Sequence, residues 1–492
     1  MEPGRALRRL PDRVPRHRTA IRRTALSRPL QCARDHGLLH LETSLFDYGC
    51  GHGDDIARLR LLGIQASGWD PVYRPEEPKR PAEVVNLGFV VNVIETPEER
   101  AMVLRDAWRL AEGVLVVAAR LASEARGLPV APQADGGLTG SGTFQKFFDQ
   151  EELRNWIDRI MRARSVPAAP GIFYVFRDAG ARERFLSSRL FRRRTFSRPG
   201  RFESHELFER HRLAFEEVMS FLGARGRFPV EEELSTSSDL LAACGSLRRA
   251  YAVLRQVTGG QHWDAVRQAR SEDFLVYVAL SRFGSRPRFG QLPRDLRLDL
   301  RAFFGSYRRA CEQADALLFS LGSDDERRAA CRETPVGKLT PTALYAHQSA
   351  LAHLPPALRI YEGCARVLIG EVDFANVVKL HHREARISYL EYPDFDRDPH
   401  PALARALVVD LQARQERFRD YRAQANPPIL HRKEEFVTED HPTRTKFARL
   451  TRREERAGLF EQTERIGTRE GWRVALAEAG RELRGHRLVR VR

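Results

Sequence analysis

FDYGCGHGDD, residues 46–55, places three glycines at every second position behind a short apolar run and follows them with two aspartates. Read outward, ETSLFDYGCGHGDDIARLRLLG (42–63) predicts a short strand, a tight turn and an amphipathic helix carrying Ile56, Leu59 and Leu62. IQASGWDP (64–71) follows as a second strand that ends in Asp70. In a doubly wound sheet this order has a physical meaning: glycines let the backbone approach a ligand, and an acidic residue closing the second strand accepts hydrogen bonds from ribose hydroxyls. A dinucleotide fingerprint spaces its glycines Gly-x-Gly-x-x-Gly and offers a helix N-terminus to a pyrophosphate. Here the spacing is Gly-x-Gly-x-Gly, preceded by Asp47 and followed by Asp54 and Asp55. Carboxylates at that helix start repel a diphosphate and suit a positively charged ligand that carries an amino acid, the pattern of S-adenosyl-L-methionine.

The next segments continue the alternation. AEVVNLGFVVNVIETPEER (82–100) is a third strand ending near Asn86 to Val90, ERAMVLRDAWRLA (99–111) a helix, and GVLVVAAR (113–120) a strand buried on both faces. QEELRNWIDRIM (150–161) and PGIFYVFRD (170–178) add a helix and a last strand. The expected α/β domain spans residues 31–180. These features resemble the class I S-adenosylmethionine-dependent methyltransferases, a Rossmann-like fold. The resemblance implies that Asp47, Gly49, Cys50, Gly51 and Gly53 form the first cofactor loop and that Asp70 binds ribose. It also implies that Asn86 and Leu87 border the cofactor and that Asn86 to Val93 lie beside the methionine end and the methyl acceptor.

Longer strings narrow the resemblance. GWDPVYRP, VVNLGFVVNVIE and GTFQKFFDQEELRNWI, then RPRFGQLPRDLRLDLRAFFGSY, GKLTPTALYAHQSAL, YEGCARVLIG, ISYLEYPDFDRDPHPAL and NPPILHRKEEF look like the DNA phosphorothioation-associated putative methyltransferase family. The match runs over nearly the whole chain. It implies a role beside systems that place sulfur in the DNA backbone, with proteins of that machinery as partners. The alternative is a catalytically silent accessory factor that binds the cofactor and recognises DNA or one of those partners.

The acceptor chemistry stays open. An adenine N6 enzyme places Asp/Asn-Pro-Pro-aromatic at the strand end that here reads NLGFVVNVIE; the prolines are absent, which disfavours that route and leaves the aromatic Phe89 and the amides Asn86 and Asn92 as the catalytic candidates. Asn426 to Pro428 lack the aromatic and read as a turn. A cytosine C5 enzyme needs a Pro-Cys nucleophile in the strand, and none is present. LTGSGTFQKFFDQEEL offers Thr143, Phe144, Gln145 and Lys146 either as a lid over acceptor or cofactor or as a plain helix lead-in. Asp394, Asp396, Asp398 and His400, with His431, Lys433 and Glu434 downstream, carry donors for a divalent cation, although Pro and Asp more commonly build turns and caps. No metal is expected. TPVGKLTP lacks the upstream glycine spacing of a phosphate loop.

At 492 residues, 42% hydrophobic and 30% charged, the chain has material for two or three cored domains and no apolar run long enough for a membrane span. Six cysteines without a Cys-x-x-Cys pair read as reduced thiols, and a cytoplasmic location is expected. The net charge of +16 is uneven: residues 1–30 hold nine arginines against two acidic residues, a net of +7, and residues 31–180 carry −4, which leaves +13 for residues 181–492. We therefore read a basic N-terminal arm (1–30), an Arg-rich linker (181–205) containing Arg192, Arg193 and Arg194, and a mostly α-helical basic domain (206–492). Clustered arginine points to nucleic acid, DNA favoured over RNA. Arginine from a high-GC codon bias on solvated faces is the bland alternative. SHELFERHRLAFEEVMSFLG, SEDFLVYVALSRF, LRLDLRAFFGSYRRACEQADALLFSLG and PALARALVVDLQARQERFRDYRAQ all carry helical spacing, and only NVVKLHHREARISYLEY alternates, as a hairpin. Phe283, Arg286, Arg288, Phe289, Phe304, Tyr307 and Arg308 interleave aromatic and basic character, as base-stacking or, more simply, as core.

Overall fold

The computed structural model describes residues 15–125, 130–140, 142–190 and 206–491. After α1 (Arg28–Asp35), the strand, turn and helix around the glycines form as β1 (Ser44–Tyr48) and α2 (Asp54–Leu61). β2 (Gln65–Trp69), β3 (Ala82–Gly88), α3 (Pro97–Leu110) and β4 (Ala111–Ala118) follow. A small antiparallel sheet of β5 (Val130–Gln133), β6 (Gly136–Thr139) and β7 (Phe144–Gln145) is inserted before α4 (Gln150–Met161), β8 (Val166–Ala169), β9 (Ile172–Phe176) and α5 (Ala179–Ser188).

The main sheet runs β2-β1-β3-β4-β9-β8, with the first four strands parallel and β9 antiparallel to both of its neighbours. Strand side chains alternate between two apolar layers. Leu45, Val84 and Val116 pack with Ile56 and Leu59 of α2 on one face, while Phe46, Val85 and Leu115 pack with Leu104 of α3 and Leu153 of α4 on the other. Because β1 has β2 on one side and β3 on the other, the chain leaves it in opposite directions. That divergence at the carboxyl ends of the strands is the topological switch point, the place of the ligand crevice in open α/β sheets.

Beyond residue 206 the chain is helical through α6 (Glu206–Arg210), α7 (Arg212–Arg225), α8 (Ser237–Cys244), α9 (Leu247–Thr258), α10 (Gly260–Leu280), α11 (Arg294–Phe304), α12 (Tyr307–Ser320) and α13 (Asp324–Glu333). The long run expected over 296–322 breaks at Gly305, whose φ is +73°, and restarts where the Ser306 side chain accepts from the Arg309 amide. Phe289 and Tyr307 pack at the edge of the core, and Arg286 forks onto Asp315.

The expectation of a mostly helical C-terminal domain is corrected after residue 338. β10 (Lys338–Leu339), β11 (Ala343–His347), α14 (Pro356–Ile369), β12 (Val377–His381), β13 (Arg386–Glu391), β14 (Arg405–Asp410) and β15 (Gln415–Asp420) build a six-stranded antiparallel meander around one helix. The β12–β13 hairpin is the alternating stretch. PALARALVVDLQARQERFRDYRAQ, expected as a helix, is the β14–β15 hairpin. Asp410 Oδ1 accepts the Gln412 and Ala413 amides, and Arg414 takes φ +54°, so a tight turn interrupts the apparent helical spacing. The chain continues through α15 (Arg444–Arg456), α16 (Arg469–Glu478) and the β16 (Arg481–Arg484) and β17 (Arg487–Arg490) hairpin. Among the described residues no helix is long and apolar enough to cross a membrane.

The expected linker over 181–205 begins as α5, whose Phe185 packs on Tyr174. Arg192, Arg193 and Arg194 lie outside the described residues. The two halves meet where α14 ends against β8. Glu371 donates its amide to Ala168 O at 2.8 Å and its carboxylate lies 3.0 Å from His36 Nε2. Gly370 holds φ +78°, and a Cβ there would fall on the Ala168 and Ala169 backbone. Gly370→Ala should therefore cost about 2–5 kcal/mol from strain and overpacking together. Urea denaturation with an unchanged midpoint would show that this seam tolerates a methyl group and is not tightly packed.

Candidate functional site at the sheet crevice

The glycine turn is held by backbone groups and by one carboxylate. Gly49, Gly51 and Gly53 take φ +82°, +53° and +80°, a region that disfavours side chains. The Gly49 and Cys50 amides donate to Trp69 O at 2.8 and 3.1 Å, tying the turn to the end of β2. Asp70 Oδ2 accepts the Gly51 amide at 3.1 Å, and its Oδ1 accepts the Val72 and Tyr73 amides, each at 2.9 Å. An ionised carboxylate has about four acceptor sites. Three backbone bonds leave one for a further donor.

The faces of the three glycines are each covered by a side chain. A Cβ on Gly49 would lie 2.5 Å from Val90 Cγ2, one on Gly53 2.7 Å from Arg74 Nε, and one on Gly51 3.3 Å from Ala20 Cβ. Asp54 and Asp55, expected to face a cationic ligand, are instead taken up by the N-terminal segment. Asp54 Oδ2 accepts the Arg23 amide and Asp55 Oδ1 the Ser27 amide, both at 2.8 Å. Residues 15–27 of the basic arm thus form a strap along the crevice. Arg16 forks onto Glu95 and Glu99 beyond β3, and Tyr73 Oη donates to His17 O at 3.1 Å. Contacts separated by 79 and 83 residues leave no local trace, and sequence reasoning missed the strap.

At the heart of the crevice Asp47 and Asn86 face each other across the β1–β3 pair. Asn86 Nδ2 donates to Asp47 Oδ1 at 2.7 Å, and Asn86 Oδ1 is buried with no partner among the described residues. Burial pushes the Asp47 carboxyl up to about 7 against the bond from Asn86, which pulls it down. Leu87 is core. Phe89, just past β3, holds φ +61° while donating its amide to Ala118 O, a left-handed conformation that costs a bulky residue about 1–3 kcal/mol. Cys50 is half-buried, and burial, with Asp47 and Asp70 nearby, pushes its thiol up to about 12.

The insert closes over the far side. Asn92 donates Nδ2 to Gln145 Oε1 at 2.8 Å and accepts the Lys146 amide at 2.7 Å, while its own Oδ1 is buried with no partner among the described residues. Thr143 and Phe144 are buried, the former against Thr139. Lys146 Nζ is held by Glu152 at 2.8 Å and Asp135 at 3.4 Å. Arg100, only 2% exposed, forks onto Asp135 and also donates to Ile94 O and Glu95 O. The structure therefore brings Asp47 and Asn86 together, ties Asp70 to the glycine turn with Val90 against Gly49, and sets Gln145 and Lys146 against Asn92.

The acidic cluster builds a loop. Asp398 caps the His400 amide and Asp396 accepts Thr443 Oγ1. His400 bridges Leu430 O and Glu454, and Lys433 donates to Phe395 O and Asp398 O. Among the described residues no group of side chains is placed to hold a metal. Asn426 Oδ1 accepts the Glu470 amide, as a turn residue does.

No family model and no curated protein matches the chain significantly. Solved structures similar to part of it include a sugar N-methyltransferase from Streptoalloteichus, at 15% identity and TM-score 0.25 over 30% of this chain and 86% of that one. Another is a SAM-bound amino pentose methyltransferase of calicheamicin biosynthesis from Micromonospora echinaspora, at 14% identity and TM-score 0.21 over 30% and 89%. A SAM-dependent methyltransferase from Aquifex aeolicus matches at 14% identity and TM-score 0.22 over 31% and 89%.

Two outcomes follow from the geometry. The folded-state pKa of Asp47 lies above its unfolded value, so the native protein binds the extra proton and stability falls as pH rises from about 4 to about 7, then levels off. Asp47→Asn should flatten this dependence and be the more stable protein at pH 8, by up to a few kcal/mol. Urea unfolding of both proteins at pH 5 and pH 8 measures it, and parallel pH dependences would show that Asp47 is ionised in the fold. Arg16→Ala should release the strap with little global cost, about 0.5–1.5 kcal/mol. Hydrogen exchange at residues 17–24 should rise while exchange in β1 and β3 stays protected.

Proposed function

We propose that the chain is an S-adenosyl-L-methionine-dependent methyltransferase acting on nucleic acid, DNA in preference to RNA, and associated with DNA phosphorothioation systems. The observation that carries the cofactor reading is the convergence, at one crevice, of a positive-φ glycine turn, Asp70 with an acceptor site to spare, and the buried Asp47–Asn86 pair. The residues fit the group. Asp70, with an acceptor site to spare, would take a ribose hydroxyl, and Asp47 with the orphaned Asn86 Oδ1 would offer two acceptors to the ammonium of the amino-acid end. When bound, the cofactor supplies an electrophilic methyl group on a sulfonium.

The chain's own residues then position and shield. The strap of residues 15–27 and the insert of residues 130–145 exclude water from opposite sides of the crevice, and positioning with water exclusion supplies much of the rate of such a transfer. Asn92 Oδ1, buried and unpartnered among the described residues, is the acceptor left to orient an N–H of the methyl acceptor. The basic surplus supports a polyanionic partner, and the family strings support the phosphorothioation context. The second reading, a cofactor-binding accessory without transfer, is favoured by the covering of all three glycine faces by Val90, Arg74 and Ala20.

Calorimetry with S-adenosyl-L-methionine tests the cofactor reading. Gly51→Val puts a branched side chain at φ +53° beside Ala20 and should abolish binding. Asp70→Ala should weaken it by about 1.5–3 kcal/mol and loosen the turn as well. Because a cation beside Asp47 favours the ionised carboxylate, affinity should climb with pH to about 7 and flatten above it. Unchanged affinity in both variants would remove the methyltransferase reading. Transfer of labelled methyl to DNA or RNA separates enzyme from accessory.

Salt titrations test the partner. Duplex affinity should fall with a log–log slope of about −0.9 per phosphate contact. Replacing Arg192, Arg193 and Arg194 together by Ala should flatten the slope by about two to three units with cofactor affinity intact. A slope near zero for both DNA and RNA in the wild type would sink the nucleic-acid reading.

A further inference from the structure

A second cavity lies away from the crevice, at the seam between the halves, with a volume of about 390 Å³. That size falls within the range of small-molecule sites, about 300–1,000 Å³. Its walls come from α4, α5 and β8 on one side and from α10, α14, β12 and β13 on the other. Five arginines line it against four carboxylates, and the pairing among them is unequal. Arg189 and Arg366 are satisfied by Glu371 and Glu362 at 3.0 and 2.7 Å, and Arg359 is held by Asp273 at 2.8 Å, outside the lining. Asp373 faces Arg28 at 3.6 Å.

That leaves Arg154 without a carboxylate and Arg182 with Glu183 on one nitrogen only. Arg154 forms no ion pair among the described residues; its one hydrogen bond there is to Val367 O, long at 3.4 Å. Arg182 gives one Nη to Glu183 at 2.5 Å, but its Nε is buried with no partner among the described residues. Glu183 is already occupied on its other oxygen by Tyr277 Oη at 2.6 Å. Arg154 also lines an adjoining outer groove with Arg162 and Arg164. The carboxylates of that groove are engaged, Asp158 by Ser165 and Glu151 by Arg414. Burial, together with the like charges of Arg182, Arg164 and Arg414, lowers the Arg154 pKa, with Asp158 opposing. A half-buried guanidinium with no carboxylate among the described residues, as Arg154 is, beside an Arg182 with donors to spare, is relieved by an anion, and the planar fork of donors matches phosphate.

We propose that the seam cavity binds an organic phosphate of mononucleotide size, its phosphate gripped by Arg154 and Arg182 and its body against Leu186, Val276, Leu280 and Leu351. The site is independent of the crevice and of the reading given to it. It is shared by both halves of the chain, so its occupant ties α4 and α5 to α10 and α14.

Titration calorimetry of the full-length protein with UMP, uridine and inorganic phosphate tests this, since a pyrimidine probe avoids the adenosine-type crevice. UMP should bind, with uridine and inorganic phosphate each at least about tenfold weaker. Arg154→Gln and Arg182→Gln should each weaken UMP about tenfold or more, Arg154→Lys should recover part of the loss, and Arg109→Gln on the exposed side of α3 should change nothing. Circular dichroism identifies a variant that has not folded, and the remaining arginine variant then decides. Equal affinity for uridine, or UMP binding indifferent to both arginines, overturns the proposal. Inorganic phosphate binding as tightly as UMP overturns the organic body, and displacement of UMP by a 20-base-pair duplex makes the arginines part of a nucleic-acid surface instead.

Discussion

A parallel strand buried on both faces has no solvent side on which to place a polar group, and the site follows from that constraint. β1, β3 and β4 carry apolar residues into both layers, so polar chemistry collects at their carboxyl ends, where β1 parts from its two neighbours. The exceptions inside the sheet are Asp47 and its partner Asn86, and Asp47 is the ionisable one. It sits 4% exposed, one residue before the end of β1, with a single side-chain donor from Asn86. Burying a carboxyl there is unfavourable for its ionised form and gives the crevice a group that responds to a nearby cation. Asp70, three-quarters committed to backbone amides, fixes the glycine turn in place above it.

Charge in this chain is used twice. The count of +16 describes the sequence, but many arginines serve inside the fold. Arg100, Arg227, Arg327 and Arg359 are all less than a tenth exposed and donate to carboxylates or to backbone carbonyls. Arg16, Arg22 and Arg23 of the basic arm hold the strap by side chain or amide. Pairing cancels one positive charge against one negative and leaves the net of +16 unchanged, so the surplus lies on the arginines that have no carboxylate partner. Arginine is suited to both uses because its five donors satisfy several acceptors at once.

What was legible in the sequence was local. The glycine spacing, Asp70 at the close of β2 and the order of strands and helices are set by contacts within about twenty residues, and composition records them directly. The β12–β13 hairpin was legible for the same reason. Apolar spacing misled at residues 401–424, where Leu403, Leu407 and Leu411 stand four apart, yet strand pairing of Ala406 with Arg419 and of Val408 with Arg417 organises the segment. Tertiary pairing there overrides local preference. The strap, the Arg100–Asp135 tie and the α14–β8 seam join residues far apart in the chain, and no periodicity encodes them.

The two flanks of the crevice are held by different chemistry, and this matters for how it opens. The strap rests on half-exposed ion pairs and a few backbone bonds: Arg16 with Glu95 and Glu99, and the Arg23 and Ser27 amides with Asp54 and Asp55. Exposed pairs of this kind are worth little individually and are screened by salt. The insert is anchored by Arg100, buried and bonded at four points, and by Phe144 in the core. Breaking a buried arginine's bonds costs several kcal/mol, whereas parting the strap costs far less. The insert side, by Asn92, is therefore the firmer of the two, and the strap side, by Gly51, the more yielding.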